Sequence, residues 1–213
     1  AAARAAGSGR MVPRIGVLMV VPEDQEGGDA PADFAGAFER VAPSQPIVST
    51  IVEGTAFPSS VLSDIDGLVV GGGLTPAYLA AVQPLVDEIR LLVGDGLPYL
   101  GYSAGAMIAA DRAIVGGWRV DGVPVCPADA GEELDEVTIA EGIGLVDLAV
   151  EVHAAQAGTL SRLVAATEAG LVEGGVAIDD GTVLIVDDEG LRIAGAGNVW
   201  RAIEDPAGIV VGS

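Results

Sequence analysis

The sequence predicts an α/β fold in three layers, with a mostly parallel, doubly wound sheet and an antiparallel edge at its C-terminal end. Short, continuous apolar runs alternate with helical patterns through the first half of the chain. Such runs are typical of strands that are buried on both faces of a parallel sheet. The tail instead alternates short apolar segments with acidic turns, which favours antiparallel pairing there.

The first half of the chain supplies most of the parallel sheet. Helical spacing predicts helices over residues 31–41 and 104–111, and a longer helix that Thr75 caps and that ends near Gly94. Apolar runs bounded by proline, glycine or acidic residues predict the strands, which cover residues 14–22, 46–52, 65–70 and 97–101.

The second half is less regular. Residues 113–142 are rich in glycine, proline and acidic residues, and we interpret them as loops with a hairpin. A strand over 145–153 and a helix over 158–171 follow, and then the short strands of the tail, at 176–178, 183–186, 191–193 and 199–203. We expect one domain over residues 14–213, preceded by a flexible extension over residues 1–13.

Composition limits the classes of partner. The net charge is −21 and all ten basic residues are arginines, so the surface should repel nucleic acid and anionic membranes. A lone cysteine, Cys126, cannot form an intrachain disulfide, which fits a reducing compartment and predicts a cytoplasmic protein. With one histidine and one cysteine the usual zinc sets are excluded, and we expect no metal and no cofactor.

A nucleophile motif lies between the fourth strand and the next helix. Residues 101–105 read Gly-Tyr-Ser-Ala-Gly and match G-x-S-x-G, which predicts Ser103 as a nucleophile on a sharp strand-to-helix turn. The N–H of Ala104 can stabilise an oxyanion, and the turn that contains Gly72 and Gly73 can supply a second donor. The alternative is an inert serine in a glycine-rich turn.

A serine nucleophile needs a base, and His153 is the only histidine. The pattern alone leaves the acid open, because many carboxylates lie near strand ends. Glu151 shares a strand face with His153, and Asp179 and Asp180 follow a tail strand. Further candidates lie between Ser103 and His153, in the order of ordinary α/β-hydrolases, at Asp111, Asp121, Asp129, Asp135 and Asp147.

Several motifs together resemble the cyanophycinase and aspartyl dipeptidase (peptidase E) family of serine peptidases. They are GGGLTP, GYSAGA, EGIGLV, VH, a helix with SRL, and GVAIDDGTVLIV, in this order over residues 65–200. The resemblance implies a glutamine-amidotransferase-like α/β fold. It also implies a triad in the order serine, histidine, acid, which here gives Ser103, His153 and Asp180, with aspartate where the family usually has glutamate.

The family pattern also implies oxyanion donors at Gly72 and Gly73 and a cluster of arginines after the histidine. Only Arg162 of that cluster remains, and Ala157 and Thr159 stand where arginines are expected. The acidic side-chain specificity of the family is therefore not implied for this chain. We predict that Tyr102, Thr75 and Arg162 contact the substrate.

The leading hypothesis is an amide hydrolase that cleaves small peptides through an acyl-enzyme on Ser103. One alternative is a catalytically idle binding or regulatory protein with the same fold. Another is an esterase whose acid precedes His153 in the sequence. A homodimer is a further expectation.

Overall fold

The computed structural model of the chain describes residues 2–28 and 30–213. The chain packs as two compact units that divide after Gly105. The first unit contains a parallel sheet and the second contains mixed and antiparallel sheets. The predicted α/β class is confirmed, whereas the single domain over residues 14–213 stays a prediction.

The first unit is built on a four-stranded parallel sheet in the order β2-β1-β3-β4. The last six residues of β1 are buried, because both faces of this strand are covered, and this explains its continuous apolar run. The strands of the sheet are β1 (Arg14–Val21), β2 (Gln45–Val52), β3 (Gly67–Val70) and β4 (Tyr99–Gly101).

Helices accompany this sheet. Phe34 and Phe38 of α2 pack against Val17 and Met19 of β1. The helix predicted over residues 75–94 is divided by a 3-10 turn that contains Pro84, since proline lacks the N–H that a continuous helix needs. Thr75 is the first helical residue rather than the cap. The helices are α1 (Ala2–Gly7), α2 (Ala30–Val41), α3 (Thr75–Val82) and α4 (Val86–Gly94).

The segment before β1 was predicted to be a flexible extension, and its flexibility stays a prediction. It contains α1, and the Arg10 guanidinium forms an ion pair with the buried Asp66, with Nη2 2.8 Å from Oδ1. A cation nearby stabilises a buried carboxylate, and here the cation comes from a position 56 residues earlier. A contact of this range leaves no local signal in the sequence.

The second unit is built on a sheet in the order β14-β13-β10-β9, in which β9 and β10 are parallel and the other pairs are antiparallel. This agrees with the predicted antiparallel C-terminal edge. Helix α6 (Leu160–Glu168) packs Leu163 and Ala166 into the core beside this sheet. The strands of the sheet are β9 (Ala149–Val152), β10 (Gly174–Ile178), β13 (Val199–Asp205) and β14 (Gly208–Gly212).

The remaining strands form two-stranded antiparallel sheets, two of them within the region predicted as loops with a hairpin. The short helix α5 (Ala104–Met107) ends earlier than predicted, and β14 was not predicted. The two-stranded sheets contain β5 (Arg112–Gly116), β6 (Arg119–Val120), β7 (Val123–Pro124), β8 (Thr138–Glu141), β11 (Thr182–Asp187) and β12 (Gly190–Gly195).

Among the helices in the described part of the chain, none combines the length and the apolar character that crossing a bilayer requires.

Candidate active site

Ser103 lies in the turn between β4 and α5 and has a strained backbone. Its φ is +52°, a region that L-residues other than glycine seldom occupy. Strain of this kind persists only where the surrounding structure enforces it, and it concentrates at functional sites. The turn has the backbone that the G-x-S-x-G motif predicts.

The glycines of the motif permit a close approach between two turns. The N–H of Gly105 donates to the carbonyl oxygen of Gly71 at 3.0 Å. A Cβ on Gly105 would lie 2.2 Å from the carbonyl oxygen of Val70, and a Cβ on Gly72 would lie 2.7 Å from Cβ of Ser103. Only glycine fits at these two positions. Because Gly72 has no side chain, its backbone can lie directly beside Ser103.

Tyr78 of α3 is hydrogen-bonded to the turn that contains Gly72. Its buried hydroxyl donates to the carbonyl oxygen of Gly72 at 3.1 Å and accepts the N–H of Val20 at 3.1 Å. Burial raises the pKa of Tyr78, and the hydrogen bond from Val20 only partly offsets this. The hydroxyl therefore keeps its proton at neutral pH and continues to donate.

The predicted oxyanion donors are main-chain groups. Within the described residues, the N–H groups of Gly72 and Gly73 donate to no other protein group. Gly73 is exposed, Gly72 is half-buried, and Ala104 begins α5. Donors left unpaired in this way are suited to a developing negative charge.

The other residues predicted to contact substrate in this unit differ in exposure. The Tyr102 side chain is 53% exposed, and its ring centroid lies 5.2 Å from that of Phe34 in a tilted arrangement. Thr75 is fully buried in the first turn of α3, which argues against direct contact with a substrate.

In the second unit, His153 follows β9 directly and also has a positive φ, +57°. Asp180 follows β10, and the two parallel strands are in register at Val152 and Ile178. Their carboxyl ends therefore meet at one edge of the sheet, and Oδ1 of Asp180 lies 2.5 Å from Nδ1 of His153. The family resemblance implied a contact between these two residues.

Glu151, the rival candidate for the acid, is fully buried and is paired with Arg162. Nε and Nη2 of Arg162 lie 2.6 and 2.8 Å from the two carboxylate oxygens. Nη1 donates to the carbonyl oxygens of Gly117 and Ala130 at 3.1 and 2.5 Å. Burial lowers the pKa of Arg162, but Glu151 outweighs this and the net pKa is raised.

This arrangement corrects the expectation that Arg162 binds substrate. The residue is 1% exposed, and its guanidinium is hydrogen-bonded to Glu151 and to two carbonyl groups. An arginine on a partly apolar helix would ordinarily face water, but the buried Glu151 on β9 requires a charge partner inside the unit.

Cys126 is half-buried, and burial raises the pKa of its thiol despite the opposing effect of Arg162. A raised pKa disfavours the thiolate, so this cysteine is poorly suited to be a nucleophile. In the described part of the chain, no three His, Cys, Asp or Glu side chains form a group arranged to hold a metal ion.

Sequence reasoning did not identify Tyr78, and it named Asp179 only as a candidate for the triad acid. Tyr78 carried a faint signal, because it is a polar-tipped aromatic residue in an otherwise apolar helical segment. The hydrogen bonds of Asp179 carried no local signal, since its partners come from two distant segments of the chain.

The fold, the turn around Ser103 and the contact between His153 and Asp180 define an α/β protein with a serine elbow and a histidine–carboxylate pair. Residues 32–194 match the model of peptidase family S51, and the chain belongs to that family.

Two solved structures have a similar fold. One is a candidate peptidase E from Listeria monocytogenes EGD-e, with a TM-score of 0.58 and 14% identity, and the match covers 87% of each chain. The other is a peptidase from an acI-B1 Actinobacterium, with a TM-score of 0.61 and 15% identity over 92% of this chain and 80% of that one.

A shorter likeness links the chain to the phosphoribosylformylglycinamidine synthase subunit PurQ of Halobacterium salinarum (strain ATCC 700922 / JCM 11081 / NRC-1). The two are 39% identical over 61 residues. The match covers 26% of this chain and 27% of that relative.

Proposed function

We propose that this chain is a serine peptidase that hydrolyses small peptides through an acyl-enzyme on Ser103. The observation that carries the proposal is the contact of 2.5 Å between Asp180 and Nδ1 of His153. Because His153 is the only histidine in the sequence, it is the only imidazole that can serve Ser103 as a base. Membership of peptidase family S51 supports the same assignment.

In the proposed reaction, Nε2 of His153 takes the proton of the Ser103 hydroxyl while Oγ attacks the scissile carbonyl carbon. The N–H groups of Gly72, Gly73 and Ala104 stabilise the oxyanion that forms. The C–N bond then breaks, and His153 returns its proton to the leaving amine. Water, activated by the same imidazole, hydrolyses the ester and restores Ser103.

Asp180 has two tasks in this scheme. By accepting from Nδ1–H it selects the tautomer whose Nε2 can act as a base, and its negative charge stabilises the imidazolium that forms. The role is assigned to Asp180 rather than to Glu151, since the Glu151 carboxylate neutralises Arg162.

We further propose that the preferred peptides carry uncharged side chains. Arg162, the one arginine that remains of the expected cluster, is buried and paired, and the chain has a net charge of −21. Both features disfavour an acidic group in the substrate. Tyr102 offers an exposed aromatic surface next to the nucleophile in the sequence.

Turnover of a dipeptide panel with varied first residues tests the function. We expect the wild-type protein to cleave some members, and we expect Ser103→Ala to lower kcat by several orders of magnitude while the fold is retained. Cleavage of esters but not of dipeptides would favour the esterase. An absence of turnover with every substrate would favour the idle protein.

A further inference from the structure

The His153–Asp180 contact is partly open to solvent and gains little rigidity from its own attraction. The two side chains are 38% and 52% exposed. Pairs that water can reach gain little from their mutual attraction, which solvent screens, and their side chains sample several rotamers. A catalytic pair must nevertheless stay close to one geometry. The residues around the contact must therefore supply the rigidity.

Consecutive residues after His153 are bonded to consecutive residues at the end of β10. The N–H of Ala154 donates to the carbonyl oxygen of Ile178 at 3.1 Å. The N–H of Ala155 donates to Oδ1 of Asp179 at 3.1 Å. In the opposite direction, the N–H of Asp180 donates to Oε1 of Gln156 at 3.0 Å.

Asp179 is the member of this series that reaches a third segment. Its Oδ1 also accepts Nε1–H of Trp200 at 3.0 Å, and its Oδ2 accepts the N–H of Asn198 at 2.9 Å. The N–H of Asp179 returns a bond to the carbonyl oxygen of Asn198 at 3.0 Å. One carboxylate thus joins the turn after His153 to the start of β13.

We infer that Asp179 is a positioning residue, whose buried carboxylate fixes the turn after His153 against Asp180 and so aligns the imidazole. The inference rests on the proposed function for its effect on turnover, but its effect on the imidazole can be measured without activity. Asp179 acts through other residues, because both of its oxygens are occupied by donors of Ala155, Trp200 and Asn198.

The charge state of Asp179 agrees with this role. The residue is 5% exposed, and burial raises its pKa, but the hydrogen bonds from Asn198, Trp200 and Ala155 outweigh burial and the net pKa lies below its usual value. Asp179 is therefore ionised at neutral pH and accepts from all these donors at once. In the isosteric Asn, an NH2 group replaces one carboxylate oxygen, and this group cannot accept from the donors that face it.

The test combines imidazole NMR with kinetics on Asp179→Asn. Because the protein has a single histidine, its ring 15N shifts are assigned without ambiguity. At alkaline pH we expect the wild-type shifts of one tautomer with the proton on Nδ1. In the variant we expect shifts averaged between the two tautomers, and a kcat lower by roughly a hundredfold with little change in KM.

The matched control is Asp187→Asn, which removes a carboxylate paired with Arg192 on the exposed hairpin of β11 and β12. It should leave the ring shifts and kcat unchanged. A second variant, Gly197→Ala, keeps the Asp179 carboxylate but places a Cβ 2.6 Å from Cβ of Asp179. It should alter the ring shifts in the same direction as Asp179→Asn.

Two results would overturn the inference. One is a folded Asp179→Asn protein with wild-type ring shifts, and the other, if that variant does not fold, is a Gly197→Ala protein with wild-type ring shifts. Altered ring shifts in a protein whose wild type cleaves no peptide would support the positioning role and count against the proposed function alone.

Discussion

Ser103 and His153 share a rare backbone conformation, with φ of +52° and +57°. Ser103 lies two residues after the end of β4, and His153 directly follows β9. The proposed reaction uses the side chains of both residues. A positive φ costs a non-glycine residue of order 1–3 kcal/mol, so neighbouring contacts must enforce it. At Ser103 those neighbours are the glycines at positions 72 and 105, and at His153 they are the bonds that join the following turn to β10.

The substitution Gly72→Ala tests the neighbours of Ser103. The new Cβ would lie 2.7 Å from Cβ of Ser103, so one of the two turns must move. We expect kcat to fall by roughly a hundredfold, since a displacement of this size misaligns a nucleophile. Gly94→Ala is the control, because no atom lies within 4 Å of its Cβ position. Equal activity of the two variants would show that the Gly72 contact is unimportant.

The substitution Asp180→Asn tests the acid. We expect kcat to fall by roughly 10²- to 10⁴-fold, because an amide neither selects the Nδ1–H tautomer nor stabilises the imidazolium. Thermal denaturation should change little, since the Asp180 side chain is 52% exposed. Asp188→Asn, an exposed carboxylate in the turn between β11 and β12, should have full activity. Comparable kcat values for the two variants would remove Asp180 from the mechanism.

At the scale of elements, β9, β10 and α6 together place the histidine. Parallel pairing brings His153 and Asp180 to one edge, while the Glu151–Arg162 pair ties α6 to the middle of β9. Thr159, just before α6, donates to the carbonyl oxygen of Val152 at 2.5 Å, which fixes the helix to the residue before the histidine. The residue before His153 is thus fixed by both β10 and Thr159.

The substitution Glu151→Gln tests the buried ion pair. It keeps the volume of the side chain but leaves the Arg162 charge buried without compensation. We expect the free energy of unfolding to fall by about 3–5 kcal/mol, measured by chemical denaturation. Asp187→Asn, which breaks an exposed pair, should unfold at the wild-type denaturant concentration. A Glu151→Gln protein as stable as that control would mean that the pair does not stabilise β9 against α6.

The elements that the sequence predicted well are those with a local signal. The apolar run of β1 and the helical spacing of α2 place both elements within one or two residues of their observed bounds. The elbow around Ser103 follows from its glycines. In contrast, the burial of Arg162 and the role of Asp179 depend on partners more than ten residues away, and no local pattern encodes such contacts.

At the scale of the whole molecule, the chain is strongly acidic, yet three carboxylates within the described residues, those of Asp66, Glu151 and Asp179, are buried and hydrogen-bonded. Asp66 is held by Arg10 and Asp179 by several N–H donors. The bond from Arg10 lowers the pKa of Asp66 more than burial raises it, and the pKa of Asp179 is also lowered. Both groups therefore bind protons less readily in the folded protein than in the unfolded chain.

This difference predicts how stability depends on pH. Near the ordinary aspartate value of 3.8, the unfolded chain binds more protons at these two sites than the folded protein does. Their stabilising contribution is complete well above pH 3.8 and is lost as the pH falls through the lowered folded values. We expect the free energy of unfolding to decrease steeply in that range, and less steeply in Asp66→Asn and Asp179→Asn. Parallel curves for the variants and the wild type would contradict the assignment.

We propose that His153 activates Ser103 as a nucleophile, and the most direct measurement of this is the labelling of Ser103 by a fluorophosphonate. Mass spectrometry of the intact protein and of its peptides gives the rate and the site of modification. We predict rapid, stoichiometric modification of Ser103 in the wild-type protein and loss of that modification in His153→Ala. Labelling at another serine, or labelling of Ser103 at the same rate without His153, would contradict the claim.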